Sequence, residues 1–298
     1  MIYRLSQKAI TMKKQLFAAL LITAFSGAAL AQTVATVNGT KIDSAEVDAQ
    51  VQMLSRESQG QVQDSPELRQ SITKRLITRT LMIQEAKRLK IDQSPQYKAA
   101  LDEAMAEAKK LGDDKKPGFK QDWATFQDNL LTRAFLAAVV GSNPVTPAET
   151  QAVYNDVSQH YKGSQEVQLG EIVTRSNEDA QKAIDALKAR KSFKSVASQY
   201  TIDPAGKAAG GIPQSYVALK DLEQSAPPLY AAVKDLKKGQ YTTTPLQGNG
   251  IFAVFYINDK RAVKVPSFKE LEPELVQRLQ EDRVEAAIGS LYQKATIK

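Results

Sequence analysis

Cysteine is absent from the chain, and histidine occurs once, at position 160, among 298 residues. The first absence excludes disulfides, thiolate nucleophiles, cysteine-bound metals and a lipidated N-terminal cysteine. The second excludes a histidine-built metal centre and any pair of histidine acid–base catalysts. A long apolar run is missing too, since the stretch 16–25 falls short of the about 20 residues that a membrane-spanning helix requires. What remains is an ordinary composition, 42% apolar and 24% charged, that is neither disordered nor membrane-embedded. The length allows one or two domains, each large enough to bury a core.

The N-terminal segment carries much of the excess charge. Met12-Lys13-Lys14 precedes the apolar stretch, which runs into Ser26-Gly27 and then Ala28-Ala29-Leu30-Ala31. Basic, apolar and small residues in that order predict a secretory signal over 1–31 with cleavage after Ala31, residues 1–11 being an upstream extension. Removing it takes away Arg4, Lys8, Lys13 and Lys14 and no acid, which lowers the formal charge of +7 by four, to +3. A nucleic-acid partner then has no basis in charge.

Asn38-Gly39 between β-prone flanks predicts a hairpin. Asp43 with Glu46 reads as a capping-box-like helix start, followed by Val47, Val51 and Leu54 at helical spacing. Ser65-Pro66 and Ser94-Pro95 each predict a helix, with serine as cap and proline in the first turn. The stripe Leu68, Ile72, Leu76, Met82, Ile83, Ala86 and Leu89 belongs to the first of these. Trp123, Phe126, Leu130, Ala134 and Phe135 mark another, and Thr146-Pro147-Ala148-Glu149 opens one that carries His160 near its end. His160 reads as a surface or capping residue, and the run Lys109 to Lys120 as a solvated loop. The region 32–163 is therefore expected to be a helical domain.

From about 164 the pattern changes. Val167, Leu169 and Glu171-Ile172-Val173 read as a strand, and Ser176 caps a helix bearing Ala180, Ile184 and Leu187. Asp203-Pro204-Ala205-Gly206 and Gly210-Gly211 read as turns. The run from Ile251 to Ile257, apolar on both faces, reads as a central strand. An α+β domain is expected over 164–262. The tail 263–298 returns to helix, with a box at Ser267 and Glu270 and a stripe from Phe268 to Leu291, and Pro273 is expected to kink or delay its start. One amphipathic helix cannot bury its own face, so it is expected to pack on the N-terminal domain, which makes the α+β domain an insert.

The ordered series from Glu171-Ile172-Val173 through Ser192-Phe193, Val196-Ala197, Tyr200, Asp203, Gly210-Gly211, Pro227-Pro228-Leu229, Leu236, Gly239, Pro245-Leu246 and Gly250-Ile251-Phe252 resembles the parvulin-type peptidyl-prolyl isomerase domain of the SurA–PrsA foldases. The helical segments resemble the chaperone part of that group more loosely. The resemblance implies a four-stranded antiparallel sheet with surrounding helices, a groove for a prolyl peptide, and rotation about X–Pro bonds, for which no cofactor or metal is needed. By the same resemblance Asp203 and Glu171 are the candidate catalytic residues, and Tyr216, Leu222, Leu229 and Phe252 the candidate substrate-binding ones. Asp203 also makes a good turn in its own right, and that alternative stays open.

This chain departs from the pattern where family members commonly carry histidines. Glu171 stands at the first such position and Phe252 at the second (Gly250 if the register slips), and Gly210-Gly211-Ile212-Pro213-Gln214 replaces the usual Gly-Gly-Asp-Leu-Gly. Glu171 also reads as a solvated or paired strand residue and Phe252 as core, and those alternatives stay open. The expected function is an exported, soluble periplasmic folding factor, with isomerase activity weakened by those replacements and with unfolded or proline-containing polypeptides as clients. The alternative is an ATP-independent holdase whose parvulin domain binds without catalysis. A homodimer is compatible with either.

Overall fold

The computed structural model describes residues 32–298. The expected signal segment 1–31 lies outside them. The first elements are a hairpin of β1 (Thr33–Val37) and β2 (Thr40–Asp43), turned by Asn38 and Gly39 at φ of 48° and 86°. Such positive φ at both central residues matches the right-handed twist of the two strands.

Helix α1 (Ser44–Glu57) follows directly. Asp43 precedes it in extended conformation but does not cap it through its side chain, which instead accepts the Thr33 hydroxyl. α2 (Pro66–Arg88) and α3 (Pro95–Leu111) start as the Ser-Pro pairs predict: Ser65 accepts from the Leu68 amide and Ser94 from the Tyr97 amide. α4 (Phe119–Ser142) and α5 (Pro147–Tyr161) complete the first helical stretch.

The middle of the chain alternates. β3 (Gln165–Thr174) leads to α6 (Asn177–Lys188), α7 (Phe193–Tyr200) and α8 (Pro204–Ala209). β4 (Val217–Ala218), α9 (Leu219–Ser225), α10 (Pro227–Val233), β5 (Leu246–Gly248) and β6 (Ile251–Ala262) follow. The last helix, α11 (Phe268–Lys294), begins before Pro273 and runs through it. The Ser267 amide and hydroxyl both donate to the Glu270 carboxylate, so the capping box holds the first turn open to a proline just inside it. Among the described residues, no helix is long and apolar enough to cross a membrane.

The chain divides into two compact units. One comprises residues 32–147 together with Val276–Lys298. Its core joins Val37, Ile42, Val47, Ile72 and Leu76 to Leu291, Tyr292 and Ala295 from the tail, and a second cluster sets Met82, Ala86, Leu131 and Phe135 against Ile288. The tail also adds to the hairpin: the Thr36 and Asn38 amides donate to the Lys298 and Thr296 carbonyls, and Lys298 donates back to Thr36.

The other unit, Ala148–Leu275, holds an antiparallel sheet in the order β4-β3-β6-β5. A bulge at Asn258 shifts the β3–β6 register. Its side chains alternate between two layers. Ile172 and Val254 pack with Ala180, Ile184, Phe193 and Val196 of α6 and α7. Val167, Ala253, Phe255 and Ile257 pack with Leu219, Leu222 and Val233 of α9 and the helix after it.

Candidate active site

The two layers of the sheet are finished differently. On the α6–α7 side, a Cβ at Gly170 would sit 2.7 Å from the Phe193 ring, so only glycine lets that ring lie flat on the strand. Phe193 stacks on Tyr256, the cross-strand partner of Gly170, with centroids 4.4 Å apart. Gly211 closes the same side. Its φ is 74°, and a Cβ there would meet both the Ala197 methyl and the Glu171 carbonyl at 2.7 Å.

The other layer stays open along part of β3. Strand β4 pairs only with Glu166 and Val167, so from Gly170 onward the edge of β3 away from β6 is bonded by the chain between 201 and 211. The Glu171 amide donates to the Gly211 carbonyl at 2.7 Å, and the Ile202 amide donates to the Val173 carbonyl at 2.8 Å. The Thr201 hydroxyl, itself buried, accepts from the Val173 amide. These bonds bring Asp203 to the strand that carries Glu171.

Asp203 caps α8. Its Oδ2 accepts the Gly206 amide at 2.6 Å and its Oδ1 the Ala205 amide at 3.3 Å. Asp203 is thus the turn former that its sequence context suggests, and its carboxylate also makes itself felt at Glu171. Desolvation first, and the negative charge of Asp203 second, hold the Glu171 carboxyl above the ordinary carboxylate value of 4.5. Glu171 opens to solvent on one side, while the strand and loop atoms around its carboxyl remove part of its water.

Alternation along β3 puts Glu171 on the same face as Val167, Leu169 and Val173, and the register sets it directly across from Phe255. Leu222 is buried in that layer, while Leu229 and Leu246 are half-buried against it. The structure therefore brings together Glu171, Asp203, Leu222 and Leu229, and it adds Phe255, Leu246 and Val173. Two other expected residues lie elsewhere. Phe252 packs against the closed layer with Ile172 and Phe193. Tyr216 is fixed near the far end of β6, its hydroxyl donating to Asp259 at 2.7 Å and its ring under the Arg261 guanidinium at 3.7 Å.

Phe255 was hidden within a run of seven apolar residues, where periodicity cannot assign faces. A usable signal existed in Asn249-Gly250, at φ of 50° and 75°. Read as a hairpin turn like Asn38-Gly39, it fixes β5 against β6 and so the alternation of the whole strand.

The SurA-like N-terminal domain family matches residues 7–134, and the PPIC-type PPIase domain family matches residues 145–273. A probable parvulin-type peptidyl-prolyl cis-trans isomerase of Bordetella bronchiseptica is 27% identical over 271 residues, covering 91% of this chain and 94% of the relative. The foldase protein PrsA of Clostridium botulinum is 23% identical over 86% of this chain and 83% of its own length. Among solved structures, a SurA-like chaperone of Campylobacter jejuni is 22% identical, with a TM-score of 0.33 over 88% of this chain and 96% of that one. With a SurA-like domain followed by a PPIC-type domain, the chain belongs to the parvulin-type peptidyl-prolyl isomerases of the SurA–PrsA foldase group.

Proposed function

We propose that the chain is exported to the periplasm, where it binds unfolded, proline-containing polypeptides, and that X–Pro bonds turn on the open face of the four-stranded sheet. One observation carries this reading. Glu171 lies across from buried Phe255 on the face that packs half-buried Leu229 and Leu246, and the loop carrying Asp203 bonds the edge of β3 beside it.

The reaction breaks no bond, so it needs no nucleophile. Its barrier, about 18–20 kcal/mol, is the resonance energy lost when the amide twists. An apolar floor that takes the prolyl ring removes water, which stabilises the planar, more polar amide over the twisted one. Glu171, raised above its usual value by desolvation and by the charge of Asp203, supplies a polar group on the face that carries the floor, where a twisted amide can be favoured over the planar one. Asp203 acts as the positioning residue, fixing the loop that lines the edge and raising Glu171 by its charge.

The second reading, a holdase without turnover, has support in the same place. The two positions where the family resemblance implies histidines hold Glu171 and, packed with the closed layer, Phe252. A proline-isomerisation assay on short peptides decides between them when run beside a client-aggregation assay. Acceleration that falls several-fold in Leu229→Ala, with aggregation suppression retained, supports catalysis on the open face. Background rates together with full suppression of aggregation support the holdase.

A further inference from the structure

The β3–β6 register slips where Gln168 faces Asp259 and Leu169 faces Ile257, which leaves Asn258 outside the ladder. Consecutive residues of a regular strand point to opposite faces, but here Asn258 and Asp259 both serve the face of Gln168. The Asn258 side-chain amide donates to Gln168 Oε1, and Gln168 Nε2 donates to the Pro213 carbonyl at 2.9 Å. Asp259 accepts the Tyr216 hydroxyl through Oδ2 and Lys238 Nζ, at 2.9 Å, through Oδ1. The polarity of this relay runs one way. A proline carbonyl only accepts, so Gln168 turns its NH2 group to it, and its oxygen then requires a donor, which Asn258 supplies.

Pro213 and Tyr216 belong to the loop that closes the edge of β3. Two residues before Pro213, the Gly211 carbonyl accepts the Glu171 amide and the Gly211 amide donates to the Gly206 carbonyl, each at 2.7 Å. Gly206 in turn donates its amide to Asp203 Oδ2. Alternation puts Gln168 with Gly170 and Ile172, on the layer opposite Glu171, and Ile212 lies over Gly170. The bulge therefore grips the loop from behind the strand, away from the face that carries Glu171. Bulges beside active sites serve to re-aim side chains in this way. We infer that Gln168 and Asn258 are positioning residues of the isomerase site, with Tyr216 as a second pin: they fix the loop whose Gly211 carbonyl and Asp203 cap set the edge of β3 at Glu171. The inference rests on the open face being the prolyl site.

The test uses the full chain, a proline-containing tetrapeptide, and NMR titration of the Glu171 carboxyl. Gln168→Met keeps the side-chain length and removes both bonds, and Asn258→Ala removes the donor that orients Gln168. Tyr216→Phe keeps the ring on Arg261 and loses only the bond to Asp259. Where each variant is folded, kcat is expected to fall about fivefold in Gln168→Met and Asn258→Ala, and about twofold in Tyr216→Phe, the scale of a lost hydrogen bond. KM changes little, because the apolar floor belongs to the other layer. In the same variants the Glu171 midpoint moves down towards 4.5 as the loosened loop readmits water. A lowered urea midpoint with both readouts unmoved shows a merely structural loop and overturns the inference. If Gln168→Met or Asn258→Ala does not fold, Tyr216→Phe, at a half-buried side chain, carries the same two readouts. A wild-type chain without turnover but with a moving midpoint fails the prolyl-site reading and keeps the relay. A fixed midpoint ends the relay whatever the turnover.

Discussion

The two layers of the parvulin sheet show how one set of strands serves two purposes. Towards α6 and α7 the centre is packed tight: Ile172, Val196 and Val254 are fully buried, and at two glycines a methyl group would collide with its neighbours. Towards α9 and α10 the packing stops short. Leu229, Leu246 and Val173 remain half-buried, and a charged residue sits where alternation would place a hydrophobe. The closed layer holds the strands in register so that the open one can keep an unfilled, partly desolvated edge. Rigidity on one side is the condition for incompleteness on the other.

That contrast can be broken most severely from the closed side. Ile172→Ala deletes a fully buried side chain and is expected to lower stability by roughly 4 kcal/mol, read from the urea midpoint of this unit. Gly211→Ala combines a positive φ with a clash against the Glu171 carbonyl, and about 3 kcal/mol is expected from the same measurement. Because Gly211 also anchors the edge, isomerase activity falls with it. On the open side the balance reverses. Leu229→Ala is expected to cost only about 1 kcal/mol in the unfolding curve while reducing kcat/KM several-fold. A stability loss at Leu229 as large as that at Ile172 shows that the face is an ordinary core.

The smallest effect sharpens the comparison through pH. The folded chain holds the Glu171 proton more tightly than the unfolded chain does, so this group costs stability as pH rises from about 4.5 through its raised value. Glu171→Gln removes that cost. The variant is expected to be more stable near pH 7 by about half a kcal/mol, after allowing for solvent screening, with the difference vanishing below about pH 4.5. A difference independent of pH removes the desolvated character of the edge.

Much of the scaffold was legible because its signals are local. Ser65, Ser94, Ser176 and Ser192 each accept an amide three residues on, as Ser-rich helix starts lead one to expect. The Asn38-Gly39 turn was readable for the same reason. β4 and β5, at two and three residues, are too short to show a period, and their existence came only from family resemblance. The site was half legible. Asp203 and Glu171 stand out as carboxylates in a turn and a strand, and their nearness depends on an edge bonded by a loop some thirty residues away. Which aromatic of β6 shares the face with Glu171 depends on register, and a run apolar on both sides conceals register. Hence Phe252 was named among the substrate-binding candidates, whereas its ring packs with the other layer and Phe255 stands across from Glu171.

The pairing of Thr36 and Asn38 with Thr296 and Lys298 has a consequence for how the chain matures. The first strand acquires its second neighbour only from a partner about 260 positions downstream, so the outer unit finishes last. The isomerase unit, encoded wholly between, has its own strands and cores and can form while its host waits. During synthesis, then, the inserted piece is ready before the segments that flank it in sequence, and the hydrophobic surfaces of Val37, Ile42 and Ile72 stay uncovered longest.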